Sequence, residues 1–237
     1  MEFKGAIFDL DGTILDSSRV WKKVDSDFFK EHGMEVPSDY LENISAMNIF
    51  DIAKYTINRF NFNYTINELV DKWNSMAKNE YEENILIKPY VKDYLLKLKN
   101  NGLKLGIATA LDDFLFIPCL KRNGIYDLFD DHRSLSTMKN GKDSPDIYLD
   151  VAKRLNVKPE ECMVFEDIYK ACRSAKSANF YVIGVNDYNN ENIKEYCDKY
   201  IYNFKELIIW KKLFTTKNNY VKICNVENLI KRYEKKE

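Results

Sequence analysis

The chain has 237 residues, 45% of them hydrophobic, enough for one sizeable domain or for a core carrying a smaller inserted one. Its 36 lysines and arginines oppose 37 aspartates and glutamates, and a net charge of −1 gives no electrostatic footprint for nucleic acid, so no such partner is expected. No run of about twenty apolar residues occurs, and Met1 to Phe8 lacks a basic start followed by a long apolar segment, so neither a membrane span nor a signal peptide is expected and the chain reads as cytoplasmic.

Ala6-Ile7-Phe8 is a short apolar run, read as a strand, that ends in Asp9-Leu10-Asp11-Gly12-Thr13. Aspartates at i and i+2 of an extended chain project to the same side. Two carboxylates in one small space repel, and keeping both ionised requires a cation; a hard divalent ion with oxygen ligands, typically Mg²⁺, is the natural one. Gly12 opens backbone torsions barred to other residues, so that main-chain N–H groups at Gly12 and Thr13 can turn towards an anion such as phosphate. Asp9 is placed to attack phosphorus as a carboxylate nucleophile, splitting one hard transfer into two easier ones. Asp11 is placed to protonate the leaving alkoxide and then to deprotonate water, a role worth ~10²–10⁴-fold.

Ser17 to Glu31 reads as an amphipathic helix with Trp21, Val24, Phe28 and Phe29 on one face and Gly33 just past its end; Trp21 and Phe28 read as packing residues. Pro37 to Ala46 is a short helix candidate and Ile49 to Phe60 another. Thr65-Ile66-Asn67-Glu68 is a capping box that opens a helix running to about Glu83, with Leu69, Val70, Trp73 and Ala77 among its apolar positions. Nothing in this stretch has the texture of a strand, so it reads as an all-helical insert of about seventy residues.

From Pro89 helix and short apolar strand alternate. Val91 to Asn100 is helical and closes at Asn101-Gly102, and Leu103 to Thr109 is a strand. Phe114 to Asn123 is helical, a weak strand lies near Leu128 to Leu135, and Asp146 to Leu155 is helical. Met163 to Phe165 is a strand, Tyr169 to Ser177 a helix and Tyr181 to Val185 a strand. Such alternation builds a parallel sheet with helices on both faces and its active site at the carboxyl ends of the strands. The expected fold is therefore α/β, a Rossmann-like core (residues 1–14 and 89–237) with an inserted helical cap (15–88). A C-terminal extension begins at about residue 204: Phe204 to Leu213 reads as a helix, followed by Tyr220 to Cys224 and a basic amphipathic helix from Asn225. Its lysines alternate with glutamates, which suits a packed extension better than an arm for nucleic acid. Cys119, Cys162, Cys172, Cys197 and Cys224 show no CxxC spacing and read as buried, reduced thiols.

Three further stretches fall at strand ends. The hydroxyl of Thr109 and the following N–H, that of Ala110, could hold a phosphoryl oxygen, although a β-branched residue is ordinary in any strand. Lys142, in Gly141-Lys142-Asp143-Ser144-Pro145-Asp146, could neutralise Asp9 and a bound phosphate, although a loop lysine by itself is usually solvated. Glu166-Asp167 either favours a helix start through its dipole or, with Asp9, completes an oxygen-rich cation site.

These stretches, in this order, resemble the motifs of the haloacid dehalogenase superfamily. Its opening motif, hhhhDxDGT with h apolar, is matched at Asp9, Asp11, Gly12 and Thr13, and Gly106-Ile107-Ala108-Thr109-Ala110 resembles the second. The third, close to G-K-P-x-P-D in this branch, is matched apart from Asp143 in place of proline. The fourth is matched at Val164-Phe165-Glu166-Asp167, with Ile168 and Ala171 where Ser and Gly are common. A helical insert between the first two motifs is similar to the subgroup containing β-phosphoglucomutase and phosphoglycolate phosphatase. The resemblance implies a Mg²⁺-dependent phosphatase acting on a small phosphate ester, a sugar phosphate or related phosphomonoester, through an aspartyl-phosphate at Asp9. It implies that Mg²⁺ is held by Asp9, the backbone carbonyl of Asp11 and Asp167, with Glu166 ligating or holding a metal water. Thr109 and Lys142 would hold the phosphoryl oxygens and Asp11 would carry the proton. An aspartate at position 11 is what the phosphatases and phosphomutases of the superfamily carry.

A phosphomutase is the alternative. The β-phosphoglucomutases grip a second phosphate with a basic segment of the cap; Asn43 to Asn48, the corresponding stretch, has no Arg or Lys, which favours hydrolysis. A non-catalytic protein of the same fold would have lost a charged site residue, and none is missing. A monomer is the plainer expectation.

Overall fold

The computed structural model describes residues 3–187 and 191–208. Among them six strands form one all-parallel sheet: β1 (Gly5–Phe8), β2 (Lys104–Thr109), β3 (Asp131–Ser134), β4 (Cys162–Glu166), β5 (Tyr181–Val185) and β6 (Lys199–Ile201). Side chains of β1 alternate, Ala6 and Phe8 entering one apolar layer and Ile7 the other, so the strand is buried on both faces as a central parallel strand must be. Phe8 stacks on Phe165 of β4, ring centroids 4.3 Å apart.

The helices are α1 (Ser18–Glu31), α2 (Tyr40–Ile44), α3 (Ile49–Phe60), α4 (Ile66–Asn79), α5 (Val91–Asn100), α6 (Asp113–Arg122), α7 (Asp146–Arg154), α8 (Tyr169–Ser177) and α9 (Lys205–Ile208). Apolar residues of α5, α6 and α9 pack in the layer of Phe8, and those of α7 and α8 in the layer of Ile7. This is the expected Rossmann-like α/β architecture. The strand order β3-β2-β1-β4-β5-β6 turns back at β1, and a sheet wound this way binds ligands outside the carboxyl ends of its strands at that point.

Between β1 and α5 the described residues form no strand, only helices, turns, irregular chain and the isolated bridges Asp11–Leu15 and Leu15–Ile87. The capping box is present: Glu68 N–H donates to Thr65 Oγ1 (3.2 Å) and Thr65 N–H to Glu68 Oε2 (2.8 Å). α4 ends at Asn79, short of the expected Glu83, because the chain widens into a single π-helical turn, Glu80–Asn84. Such turns recur at functional sites, and Tyr81 lies in this one. α2 is shorter than the stretch from Pro37 to Ala46, since Pro37 to Tyr40 closes as a turn, Tyr40 N–H to Pro37 O 3.0 Å. Cys119, Cys162 and Cys172 are buried free thiols, whereas Cys197 is only half-buried, against expectation. Cys224, the stretch Tyr220 to Cys224 and the helix from Asn225 lie outside the described residues, as does the part of Phe204 to Leu213 beyond Ile208. No helix among the described residues is long and apolar enough to cross a membrane.

Candidate active site

β1 stops at Phe8, yet its register with β4 runs one residue further, Asp9 N–H donating to Phe165 O at 3.1 Å. That bond fixes Asp9 beside Glu166, the last residue of β4. Lys142 reaches both: its Nζ donates to Asp9 Oδ1 and lies 2.5 Å from Glu166 Oε1. The same Oε1 accepts from the Tyr148 hydroxyl of α7 at 2.7 Å. The loop carrying Lys142 is itself held, its N–H donating to Ala46 O at 3.0 Å and its carbonyl accepting from the Ser174 hydroxyl.

Carboxylate oxygens of Asp9, Glu166 and Asp167 lie within 4.8 Å of one another. Three carboxylates against the single ammonium of Lys142 leave two negative charges in excess, an arrangement that a hard divalent cation with oxygen ligands balances. Glu166 Oε2 fits that reading, since it is buried with no hydrogen-bond partner among the described residues. Burial first, and then the charge of Asp9, raises the Glu166 carboxyl to about 7 against the pull of Lys142, and the same causes hold Asp167 well above its ordinary value. Burial alone would depress Lys142, but the charges of Asp9 and Glu166 outweigh it and the ammonium is held raised. Thr13 Oγ1 donates to Asp167 Oδ1 at 3.2 Å. Gly12 sits at φ +72°, and a Cβ there would lie 2.4 Å from Asp167 Oδ2, so the turn admits only glycine.

Asp11 does not share the carboxylate cluster that the i, i+2 spacing predicts, because the chain has left strand geometry by then. Its Oδ1 accepts from Ser17 Oγ (2.5 Å) and Tyr81 OH (2.6 Å), and its Oδ2 from Trp21 Nε1 (3.0 Å). Trp21 is thus more than a packing residue, the role its helical spacing suggests. Burial raises the Asp11 carboxyl to about 6 even against these hydrogen bonds. Two carboxylates two residues apart therefore occupy two different environments.

A cavity of about 670 Å³ opens over these groups. Asp9, Asp11, Gly12 and Lys142 line its floor, joined by Asp167 and by Thr109 and Ala110 from the end of β2. Thr109 Oγ1 accepts from Leu111 N–H at 3.1 Å, which leaves its own proton to donate. Glu166 and Thr13 are fully buried behind the floor. The roof comes from the helical insert: Ile44, Ala46 and Met47 of the cation-free stretch, Trp21, Lys22 and Asp25 of α1, and Trp73 of α4. Lys22 puts a cation in the roof from a place outside Asn43 to Asn48.

Sequence reasoning missed Tyr148, Tyr81, Asp25 and the pair Lys88–Asp187, Nζ to Oδ1 3.1 Å. Lys88 Nζ also donates to Asn186 O at 3.0 Å, and Asp187 Oδ2 accepts from Ser18 Oγ at 2.5 Å, so one carboxylate ties the two chain segments that join insert to sheet. Asp25 did have a signal, a charge in the buried stripe Val20, Val24, Phe28 and Phe29.

A family model described as haloacid dehalogenase-like hydrolase matches residues 6–185. The chain is 30% identical over 197 residues to a β-phosphoglucomutase of Bacillus subtilis (strain 168), covering 77% of this chain and 83% of that one. It is 26% identical over 175 residues to a phosphorylated carbohydrates phosphatase of Thermotoga maritima, covering 74% and 81%. A crystal structure of β-phosphoglucomutase from Clostridium difficile superposes with a TM-score of 0.75 at 21% identity over 98% of both chains.

Proposed function

The chain belongs to the haloacid dehalogenase-like hydrolases and acts on phosphate monoesters, and from that premise we propose that it is a Mg²⁺-dependent phosphatase of a small phosphorylated metabolite, a sugar phosphate or close analogue, working through an aspartyl-phosphate at Asp9. The observation that carries this reading is the separation of Asp9, paired with Lys142, from Asp11, buried in hydrogen bonds and raised to about 6. Two carboxyls held by different partners can take different tasks. Asp9 attacks phosphorus as the ester P–O bond breaks, and Asp11 gives its proton to the departing alkoxide. Asp11 then takes a proton from water, which attacks the acyl phosphate, breaks its P–O bond, and returns Asp9 as a carboxylate with inorganic phosphate released. Thr109, the Ala110 N–H and Lys142, with the N–H of Gly12, hold the phosphoryl oxygens, whereas Thr13, expected to share in this, is buried behind the floor with its N–H donated to Leu10 O at 3.3 Å. Asp9, Asp167, the Asp11 carbonyl and Glu166, directly or through water, would hold the cation, which supplies positive charge to the transferring phosphoryl group.

Residues 15–88 act in this reading as a cap over a core of 1–14 and 89 onward. Its support is the contact of Ala46 O with Lys142 N–H, which ties roof to floor beside the reacting groups. Phosphate release from a panel of phosphorylated sugars and polyols with Mg²⁺, and its loss in Asp9→Asn, tests the proposal; an Asp9→Asn protein as fast as the native one sinks it.

Mutase chemistry is the second reading, favoured by Lys22 in the roof, where a second phosphate would need a cation. β-Glucose 1-phosphate with a glucose 1,6-bisphosphate primer separates the two: a phosphatase releases phosphate, whereas a mutase yields glucose 6-phosphate without it.

A further inference from the structure

Two polar groups in the roof have no hydrogen-bond partner among the described residues. Asp25 of α1 is 8% exposed, lines the cavity, and makes no hydrogen bond or ion pair among the described residues, not even with Lys22 one turn back. Trp73 of α4 is 3% exposed, lines the same cavity, and its Nε1 is buried without an acceptor. Both line the one cavity, on helices that pack against each other. Phe28, one helical turn after Asp25, meets the Trp73 ring edge-on at 5.6 Å. Buried polar groups left unpaired weaken a fold, and a protein keeps them where something else pairs them.

The two groups are of opposite kind. A carboxyl oxygen accepts hydrogen bonds whether or not the group is ionised; an indole N–H only donates. An ammonium group on the substrate would satisfy Asp25 and leave Trp73 unpaired, while a hydroxyl donates to the one and accepts from the other. We propose that Asp25 and Trp73 form a specificity pair that recognises a hydroxyl on the leaving group, selecting phosphate esters of polyhydroxy alcohols over alkyl and aminoalkyl esters of the same length. The inference rests on the phosphatase reading above. From Ser18, beside the Asp11 partner Ser17, to Asp25 is about 10 Å of helix at 1.5 Å per residue. The recognised hydroxyl therefore sits at the end of the alcohol remote from phosphorus. Leu41, Ile44, Met47 and Ile52 line the same cavity beside the polar Lys22, Glu42 and Ser45, so carbon and hydroxyl groups of an alcohol both find counterparts there.

The test uses the full chain with Mg²⁺ and three probes of equal length: sorbitol 6-phosphate, n-hexyl phosphate and 6-aminohexyl phosphate. The native protein is expected to favour sorbitol 6-phosphate over n-hexyl phosphate by about 100-fold in kcat/KM, since a site built for a hydroxyl rejects the analogue lacking it. Asp25→Leu lowers that ratio by about 10-fold or more, chiefly through KM, and raises the melting temperature by removing an unpaired buried carboxyl; a merely structural aspartate would do the reverse. Trp73→Phe keeps the ring, removes the donor, and lowers the ratio in the same sense, which covers the case that Asp25→Leu fails to fold. An unchanged ratio in the variants, a native protein that does not discriminate, or a preference for the aminohexyl ester overturns the inference. If the native protein cleaves p-nitrophenyl phosphate yet does not discriminate, the hydroxyl pair alone is lost; if it cleaves no phosphomonoester, the phosphatase reading falls and takes the pair with it.

Discussion

Lys142 and Glu166 form an ion pair sealed from solvent, Nζ 2.5 Å from Oε1, with side chains 5% and 0% exposed. The ammonium is shared with Asp9, so a single cation answers two carboxylates while Asp167 stands nearby with a third. This imbalance is the electrostatic basis of the site.

Removing the ammonium leaves both partners uncompensated. Lys142→Met is expected to destabilise the metal-free protein by about 3–5 kcal/mol, the range for breaking a buried pair from one side. Phosphate release should fall by ~10²–10³-fold, since Lys142 also faces the transferring group. Thermal melting in EDTA and a phosphate assay in Mg²⁺ check the two effects separately.

The same imbalance predicts stabilisation by divalent cations. Mg²⁺ at about 100 times its dissociation constant should add about 2.7 kcal/mol to the native protein. Asp167→Asn, which removes one charge from the cluster, should lose most of that gain as well as activity. Melting curves across a Mg²⁺ titration read this directly, and equal shifts in both proteins would remove Asp167 from the cation site.

Gly12 is a conformational and a steric requirement at once. With φ +72° and a Cβ that would stand 2.4 Å from Asp167 Oδ2, Gly12→Ala must displace the carboxylate or the turn. A left-handed non-glycine residue by itself costs about 1–3 kcal/mol. The variant should therefore melt lower and also need more Mg²⁺ for half-maximal activity; a lower melting point with unchanged Mg²⁺ demand would mean that the carboxylate has not moved.

Features built from local pattern were legible in the sequence. The apolar run before Asp9 announces a strand, Thr65 and Glu68 announce a helix start, and the bounds of α3, Ile49–Phe60, follow from helical spacing alone. Features built from tertiary contact were not. The turn Glu80–Asn84 has nothing in its sequence, Glu-Tyr-Glu-Glu-Asn, to mark it as π-helical, and it owes its placement near the site to Tyr81 meeting Asp11 70 residues away. Trp21 looks like packing because periodicity sees the ring and not the indole N–H. Lys88 and Asp187 pair across 99 residues, and β6, three residues long, is too short to show a period. The catalytic floor is local in sequence at each strand end, whereas the roof that selects a substrate is assembled from separate helices.

Asp25 gives the clearest pH signature. Burial raises its carboxyl from an ordinary 3.8 to about 7. Between those values the folded chain holds the proton and the unfolded chain has released it, so the unfolded state binds fewer protons and stability falls as pH rises. The slope approaches ~1.4 kcal/mol per pH unit within that window and vanishes above it. Asp25→Asn keeps the shape and removes the titration, and the other carboxyls contribute equally to both proteins and cancel in the difference. The variant should therefore match the native protein near pH 4, gain on it steadily to about pH 7, and hold a constant advantage beyond. Urea unfolding of both proteins from pH 4 to 8 measures that difference; an advantage that does not change with pH would mean Asp25 is ionised and paired in the folded chain, and the unpartnered carboxyl of the roof would have to be given up.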